Sequence, residues 1–233
     1  MISTYIKSID TKIYTQIFNE NKEQVLCFLH GNGESGEYFY NLLPYFSEYK
    51  IILIDTRNHN KSDKVDGYLD FKTIAADFIN VINYLNIKKC DIIGYSDGGN
   101  TILELLKNRC DIINKAVLIS PNLSPKYLHA FLRIKLYLYE AGLLLKKKDD
   151  LIKNKIILAN LMLKEPNFKY SDFENINTNS IILSAQKDVV SIKHLDILAN
   201  ILNIKHINIK KSTHANICYN SEAIDIITNF LNN

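Results

Sequence analysis

Short runs that are apolar at every position are the feature that most constrains the fold of this chain. Residues 51–54, 92–93 and 181–183 are such runs. A strand that is apolar on both faces is typical of a parallel sheet that helices cover on both sides. Helical patterns separate the runs, and one of them repeats its apolar residues at Ile74, Phe78, Ile82 and Leu85. This alternation predicts an α/β fold with a mostly parallel central sheet.

Residues 122–179 interrupt the alternation, because they contain no strand-like run. Leu128, Phe131, Leu132, Leu136 and Tyr139 are predicted to share one face of a helix, and a second helix is predicted over DLIKNKIILANLML. We therefore expect residues 1–121 and 180–233 to form the core and residues 122–179 to form a helical insertion, within one structural domain. Such an insertion either covers a site at the carboxyl ends of the strands or serves only for packing.

Charge and composition argue against several classes of protein. The 233 residues include 28 Lys and Arg against 25 Asp and Glu, scattered along the chain, which indicates no nucleic-acid partner. No apolar run is long enough for a membrane span, and the first residues lack the apolar segment of a secretory signal, so a cytoplasmic location is predicted. The sequence shows no metal-ligand spacing, and the cysteines at positions 27, 90, 110 and 218 form no CxxC pair. We expect no metal and no organic cofactor. The oligomeric state is left open.

The stretch GYSDGG, residues 94–99, has the spacing Gly-x-Ser-x-Gly between an apolar run and an amphipathic helical pattern. A strand that turns abruptly into a helix needs small residues two before and two after the apex, because the backbone segments approach closely there. Gly94 and Gly98 meet this requirement. The pattern predicts Ser96 as a nucleophile at the apex; the alternative is a glycine-rich turn without chemistry.

A serine nucleophile needs a base and a group that orients the base. Of the six histidines, His214 in KKSTHAN is the one predicted at the carboxyl end of a strand after Ser96. Asp188 in SAQKD follows the preceding strand and is the predicted acid. The alternatives are a helix cap for Asp188 and a surface loop for His214. Two backbone N–H groups are predicted to bind the oxyanion, from Asp97 and from Asn32 beside Gly33.

Taken together, these segments resemble the α/β-hydrolase fold superfamily. The resemblance rests on HGNG, DTRNHNKSD, GYSDGG, QKD and THAN. It implies a sheet of about eight strands and a hydrolytic activity. Asn58 and Asn60 stand where many members have glycine, and asparagine tolerates positive φ better than most residues. The residue at the apex of the strand-to-helix turn, called the elbow, is a serine, whereas haloalkane dehalogenases have an aspartate there and use a tryptophan to bind the halide. This serine and the absence of tryptophan argue against that subfamily.

The aspartate after Ser96 raises a question of charge. An unpaired carboxylate about 6 Å from an oxyanion would destabilise the oxyanion by about 3 kcal/mol of electrostatic repulsion at an effective dielectric near 20. GYSDGG is similar to the elbow of valacyclovir hydrolase and other biphenyl hydrolase-like proteins, in which this aspartate helps to bind a substrate ammonium. The resemblance implies that role for Asp97. The other interpretation is a surface side chain that stabilises the helix start.

The sequence therefore predicts a serine hydrolase that cleaves a small carboxylic ester through an acyl-enzyme on Ser96. Acyltransferase, thioesterase or lactonase activity of the same residues remains an alternative, as does a ligand-binding homologue without activity. The expected partner is a small-molecule ester. The residues predicted to contact it are Gly33, Asp97, Phe131, Tyr137 and Tyr139.

Overall fold

The computed structural model describes residues 1–232, with the side chain of Cys110 outside the described residues. Its centre is an eight-stranded sheet in the order β1-β2-β4-β3-β5-β6-β7-β8. The strands are β1 Ile2–Lys7, β2 Lys12–Phe18, β3 Val25–Leu29, β4 Lys50–Ile54, β5 Cys90–Tyr95, β6 Ile113–Ile119, β7 Ser180–Lys187 and β8 Lys205–Thr213. Pairing is antiparallel from β1 to β2 and from β2 to β4, and parallel elsewhere. The predicted mostly parallel sheet is confirmed.

Six α-helices accompany the sheet in the described part of the chain. They are α1 Phe71–Tyr84, α2 Asp97–Arg109, α3 Ala130–Leu144, α4 Asp150–Lys164, α5 Ile192–Leu202 and α6 Ser221–Asn232. None of the helices in residues 1–232 is long and apolar enough to cross a membrane. The predicted core and insertion boundaries stay predictions, and Asn233, at the end of the predicted core, lies outside the described residues.

The core explains why the strands are apolar at every position. Along β4, Ile51 and Leu53 pack into a cluster on the side of α6, whereas Ile52 and Ile54 pack into a cluster with α1, α2 and α5. Neighbouring side chains of a strand point to opposite faces, so burial on both faces requires a continuous apolar run. Cys27 lies in the second of these clusters as a fully buried free thiol.

The loop after β4 is fixed by a buried ion pair. Arg57 donates from Nε to Asp77 Oδ2 at 2.6 Å and from its terminal NH₂ group to Asp77 Oδ1 at 2.8 Å. The two side chains are 5% and 3% exposed. Asn58 and Asn60 follow with φ angles of 67° and 37°, so the asparagines adopt the left-handed region that glycine usually occupies. The pair thus anchors the loop to α1.

Candidate active site

Ser96 lies between β5 and α2 with a φ of 53°, in the left-handed region that non-glycine residues rarely adopt. The neighbouring glycines allow this turn. A Cβ on Gly98 would lie 1.9 Å from the carbonyl oxygen of Leu29, and one on Gly94 would lie 2.4 Å from that of Gly98. The close approach of backbone predicted from the Gly-x-Ser-x-Gly spacing is therefore present around Ser96.

His214 and Asp188 lie beside this serine. His214 Nε2 is 3.3 Å from Ser96 Oγ, and His214 Nδ1 is 2.9 Å from Asp188 Oδ1. Asp188 follows β7 and His214 follows β8, so neighbouring parallel strands bring the two loops to the same edge of the sheet. The structure thus brings the three predicted side chains into one hydrogen-bonded series. Their catalytic roles stay predictions.

The surroundings of Asp188 keep its carboxylate charged. Burial alone would raise its pKa, but the hydrogen bond and charge of His214, together with Ser120 and the Ala185 N–H, lower the pKa below its usual value. Ser120 Oγ donates to Asp188 Oδ2 at 2.5 Å, and Ala185 N donates to the same oxygen at 2.8 Å. An ionised Asp188 can therefore accept the Nδ1 proton of His214 and stabilise an imidazolium.

Tyr95 contacts His214 through both its hydroxyl group and its ring. Its hydroxyl donates to the backbone oxygen of His214 at 2.9 Å, and the two rings lie 5.0 Å apart. Tyr38 stacks on Tyr95 at 4.8 Å. Neither these tyrosines nor Ser120 was predicted from the sequence, because their contacts cross between distant segments and leave no local pattern.

A cavity of about 200 Å³ opens at Ser96. Its apolar wall includes Leu128, Leu132 and Met162 from the 122–179 segment. A second cavity of about 420 Å³ shares Asn32, Glu34 and Met162 with the first. Residues of the predicted insertion therefore line both spaces. No three His, Cys, Asp or Glu side chains within the described chain are arranged to hold a metal ion.

The predicted substrate-contacting residues divide into two groups. Gly33 and Tyr139 line the second cavity, and Asp97 lines the first. Phe131 and Tyr137 do not line the cavity at Ser96 and are 81% and 54% exposed; their contact with a substrate stays a prediction.

The orientation of helix α3 explains why these two side chains are exposed. Leu132 and Leu136, four residues apart, pack on the core. Successive residues of an α-helix are about 100° apart, so Phe131 and Tyr137 each lie one step away from this inward face. The prediction that Phe131 shares one face with Leu132 and Leu136 is therefore wrong.

Asn32 and Asp97, the predicted sources of the oxyanion-binding N–H groups, both line the cavity at Ser96. Their side chains are joined, since Asn32 Nδ2 donates to Asp97 Oδ2 at 3.0 Å. Burial raises the pKa of Asp97 to about 6, although the Asn32 amide and the charge of His214 act to lower it. Asp97 therefore faces the cavity and not the outer surface of α2, while the oxyanion role of the two N–H groups stays a prediction.

Glu34 is a cavity residue that was not predicted. It lines both cavities, and its Oε2 is buried without a hydrogen-bond partner among residues 1–232. Burial raises the pKa of Glu34 to about 7, opposed by the charge of His214. The one sequence feature that could have identified Glu34 is its position two residues after Asn32, in the loop predicted to supply an oxyanion donor.

We expect Glu34→Gln to stabilise the protein at pH 8 and to leave its stability unchanged near pH 4. The folded carboxyl holds its proton up to about pH 7, whereas an unfolded one releases it near pH 4.5. The folded state therefore loses stability as pH rises between these values. Glu34 as a whole is only partly buried, so screening by solvent reduces the effect to about 1 kcal/mol, or about 2–4 °C in Tm. Thermal melts at both pH values check this, with the exposed Glu23→Gln as control. Equal Tm shifts at the two pH values would contradict it.

Known proteins resemble this chain in sequence and in structure. A family model described as alpha/beta hydrolase fold matches residues 24–213. A putative esterase/lipase of Haemophilus influenzae is 28% identical over 128 residues, covering 53% of this chain and 44% of that protein. An sn-1-specific diacylglycerol lipase of Danio rerio is 30% identical over 115 residues, covering 46% of this chain and 36% of that protein. The matches thus span less than half the length of these two curated relatives.

Solved structures show the same architecture over nearly the whole chain. A hydrolase from Pseudomonas aeruginosa superposes with a TM-score of 0.83 at 13% identity, covering 99% of this chain and 98% of that one. An enol-lactonase from Burkholderia xenovorans superposes with a TM-score of 0.80 at 14% identity, covering 99% and 100%. At such identities the likeness shows the fold alone.

Proposed function

Because this chain belongs to the alpha/beta hydrolase fold family, we propose that it is a serine hydrolase that cleaves a small carboxylic ester. The observation that carries the proposal is the series Ser96–His214–Asp188, with distances of 3.3 and 2.9 Å, beside a cavity. A serine hydroxyl is a weak nucleophile unless a base accepts its proton and a third group orients the base. This arrangement supplies both.

In the proposed reaction Ser96 Oγ attacks the ester carbonyl while His214 Nε2 accepts the hydroxyl proton. Asp188 holds Nδ1–H and stabilises the imidazolium. The N–H groups of Asn32 and Asp97 bind the oxygen that becomes negative. His214 then returns the proton to the departing alcohol, which leaves an acyl group on Ser96. Water attacks the acyl group with His214 as base, and the acid departs as Ser96 regains its proton.

The test is reaction with a fluorophosphonate probe together with hydrolysis of p-nitrophenyl acetate. We expect the probe to label Ser96, as located by mass spectrometry of peptides, and to stop hydrolysis in proportion to labelling. Heat-unfolded protein is the control, because a serine outside a folded site is not activated. Absence of labelling would favour a ligand-binding homologue without activity. Labelling with faster turnover in added alcohols would favour an acyltransferase; thioesters and lactones are compared in parallel.

The charges around the cavity bear on which esters it accepts. Within the described part of the chain, its lining includes three acidic residues, Glu34, Asp97 and Glu165, and no lysine or arginine. A carboxylate attracts a cation at about 4 Å by about 4 kcal/mol at an effective dielectric near 20, before the cost of removing both from water. The lining therefore supports a preference for esters that carry an ammonium group over anionic or neutral ones.

We expect an acetate ester of choline to be hydrolysed at least about tenfold faster, in kcat/KM, than the neutral 3,3-dimethylbutyl ester of the same shape. Tenfold corresponds to about 1.4 kcal/mol. Glu34→Gln should reduce the ratio, and comparing ratios cancels the intrinsic reactivity of the two esters. A ratio that is equal in the wild type and in Glu34→Gln would rule out recognition of the cation by Glu34.

A further inference from the structure

One side-chain amide joins the two segments that are proposed to bind the oxyanion. Asn32 lies in the loop after β3, and Asp97 is the first residue of α2. The hydrogen bond from Asn32 Nδ2 to Asp97 Oδ2, at 3.0 Å, is a direct connection between them. A bond to an ionised acceptor is stronger than one between neutral groups.

The same amide also contacts helix α4. Asn32 Nδ2 lies 3.2 Å from the backbone oxygen of Leu158, to which it donates. An asparagine amide has two hydrogens, so both are used, one toward the elbow and one toward α4. The Asn32 side chain is therefore held from two directions.

The other carboxylate oxygen of Asp97 faces a second asparagine. Asn100 Nδ2 lies 3.5 Å from Asp97 Oδ1 and donates to Asn122 Oδ1 at 3.1 Å. The Asn122 N–H in turn donates to Asn100 Oδ1 at 2.7 Å. The carboxylate thus lies between two side-chain amides, and the second of these is itself fixed by the chain just after β6.

We propose that Asp97 is a positioning residue whose carboxylate holds the Asn32 side chain and thereby aligns the backbone N–H of Asn32 with its own for the oxyanion. This inference rests on the proposed serine hydrolase function. It also explains why a negatively charged residue can follow the nucleophile. The Asp97 carboxylate accepts hydrogen bonds from amide groups, and these offset its repulsion of the oxyanion. In the alternative role, the Asp97 carboxylate would bind an ammonium group of the substrate directly.

The two roles make opposite predictions for a neutral ester. If Asp97 only binds an ammonium group, Asp97→Ala leaves the hydrolysis of p-nitrophenyl acetate unchanged or faster. If Asp97 aligns the donors, Asp97→Ala lowers kcat by about 10–100-fold, less than the 10²–10³ that complete loss of one donor produces. KM should stay within about twofold, since the oxyanion forms only in the transition state.

A conservative variant separates alignment from charge. Asp97→Asn retains an oxygen that can accept from Asn32 Nδ2, so it should recover most of the kcat that Asp97→Ala loses. Asn32→Ala should lower kcat as well, and the double variant Asn32→Ala/Asp97→Ala should lose no more than the worse single variant, because the two side chains act as a unit. Asp111→Ala, an exposed aspartate just beyond the end of α2, is the matched control and should have wild-type kcat.

Thermal melts and Ser96 labelling of each variant show whether it is folded and intact. An Asp97→Ala kcat within twofold of the wild type, an Asp97→Asn kcat as low as that of Asp97→Ala, or multiplicative losses in the double variant would each overturn the inference while leaving the hydrolase proposal standing. A wild-type protein that neither hydrolyses esters nor labels at Ser96 would overturn both.

Discussion

Replacing Ser96 by alanine is expected to lower kcat for short-chain esters by about 10⁴-fold or more, with the fold unchanged. Loss of the nucleophile leaves only binding and oxyanion stabilisation, which accelerate hydrolysis modestly over water. Alanine keeps the Cβ, so the positive φ of 53° at this position imposes no additional strain. The measurement is kcat on p-nitrophenyl butyrate, with circular dichroism and Tm as checks of folding.

Ser124→Ala is the matched control for this variant. Ser124 precedes a short helical turn in the same region, makes no side-chain capping hydrogen bond and does not line the cavity at Ser96. We expect it to keep wild-type activity. If Ser96→Ala retained more than a few per cent of wild-type kcat, the nucleophile would lie elsewhere and the proposed mechanism would be wrong.

The fold was predictable because most of its strands are buried on both faces. β3 and β4 are apolar at nearly all positions, and β5 is buried along its whole length with two isoleucines at its centre. Such runs can be recognised in the sequence without knowledge of the tertiary contacts. β1 was not predicted. It is an edge strand that pairs with β2 and whose residues are mostly exposed, so its sequence ISTYIK carries little apolar periodicity.

The candidate site was predictable where local geometry or topology dictates position. Gly94 and Gly98 must be small because backbone passes within contact distance, and this requirement is visible in six residues of sequence. Asp188 and His214 follow from the rule that the carboxyl ends of parallel strands share one edge. These constraints act within single elements or between neighbouring strands, so they can be recognised in a single sequence.

The inward face of helix α3 and the burial of Glu34 could not be predicted from the sequence. The exposed residues of α3 include Phe131, Ile134, Tyr137 and Leu138, so apolar side chains lie on several faces and periodicity does not identify the inward one. The environment of Glu34 depends on segments far apart in the chain, including those of Tyr95 and His214. Such burial is a property of the packed structure and has no local pattern.

The second large effect is expected from Asp188→Asn, which should lower kcat by about 10⁴-fold. The neutral amide no longer stabilises the imidazolium that forms when His214 accepts a proton. If its NH₂ group faces His214, the ring is also held in the tautomer that cannot act as base toward Ser96. Both consequences follow from the 2.9 Å contact between His214 Nδ1 and Asp188 Oδ1.

The amide should also destabilise the protein, because each carboxylate oxygen of Asp188 accepts a backbone hydrogen bond. Val189 N donates to Oδ1 at 2.7 Å, and Ala185 N donates to Oδ2 at 2.8 Å. An NH₂ group in either position faces a donor, and a buried unpaired donor costs about 1–3 kcal/mol. We therefore expect Tm to fall together with kcat. Asp196→Asn is the matched control, since Asp196 Oδ1 contacts another histidine, His206, at 2.7 Å away from the cavity. If Asp188→Asn kept kcat within tenfold of the wild type while Ser96 was still labelled, a group other than the His214–Asp188 pair would have to activate the serine.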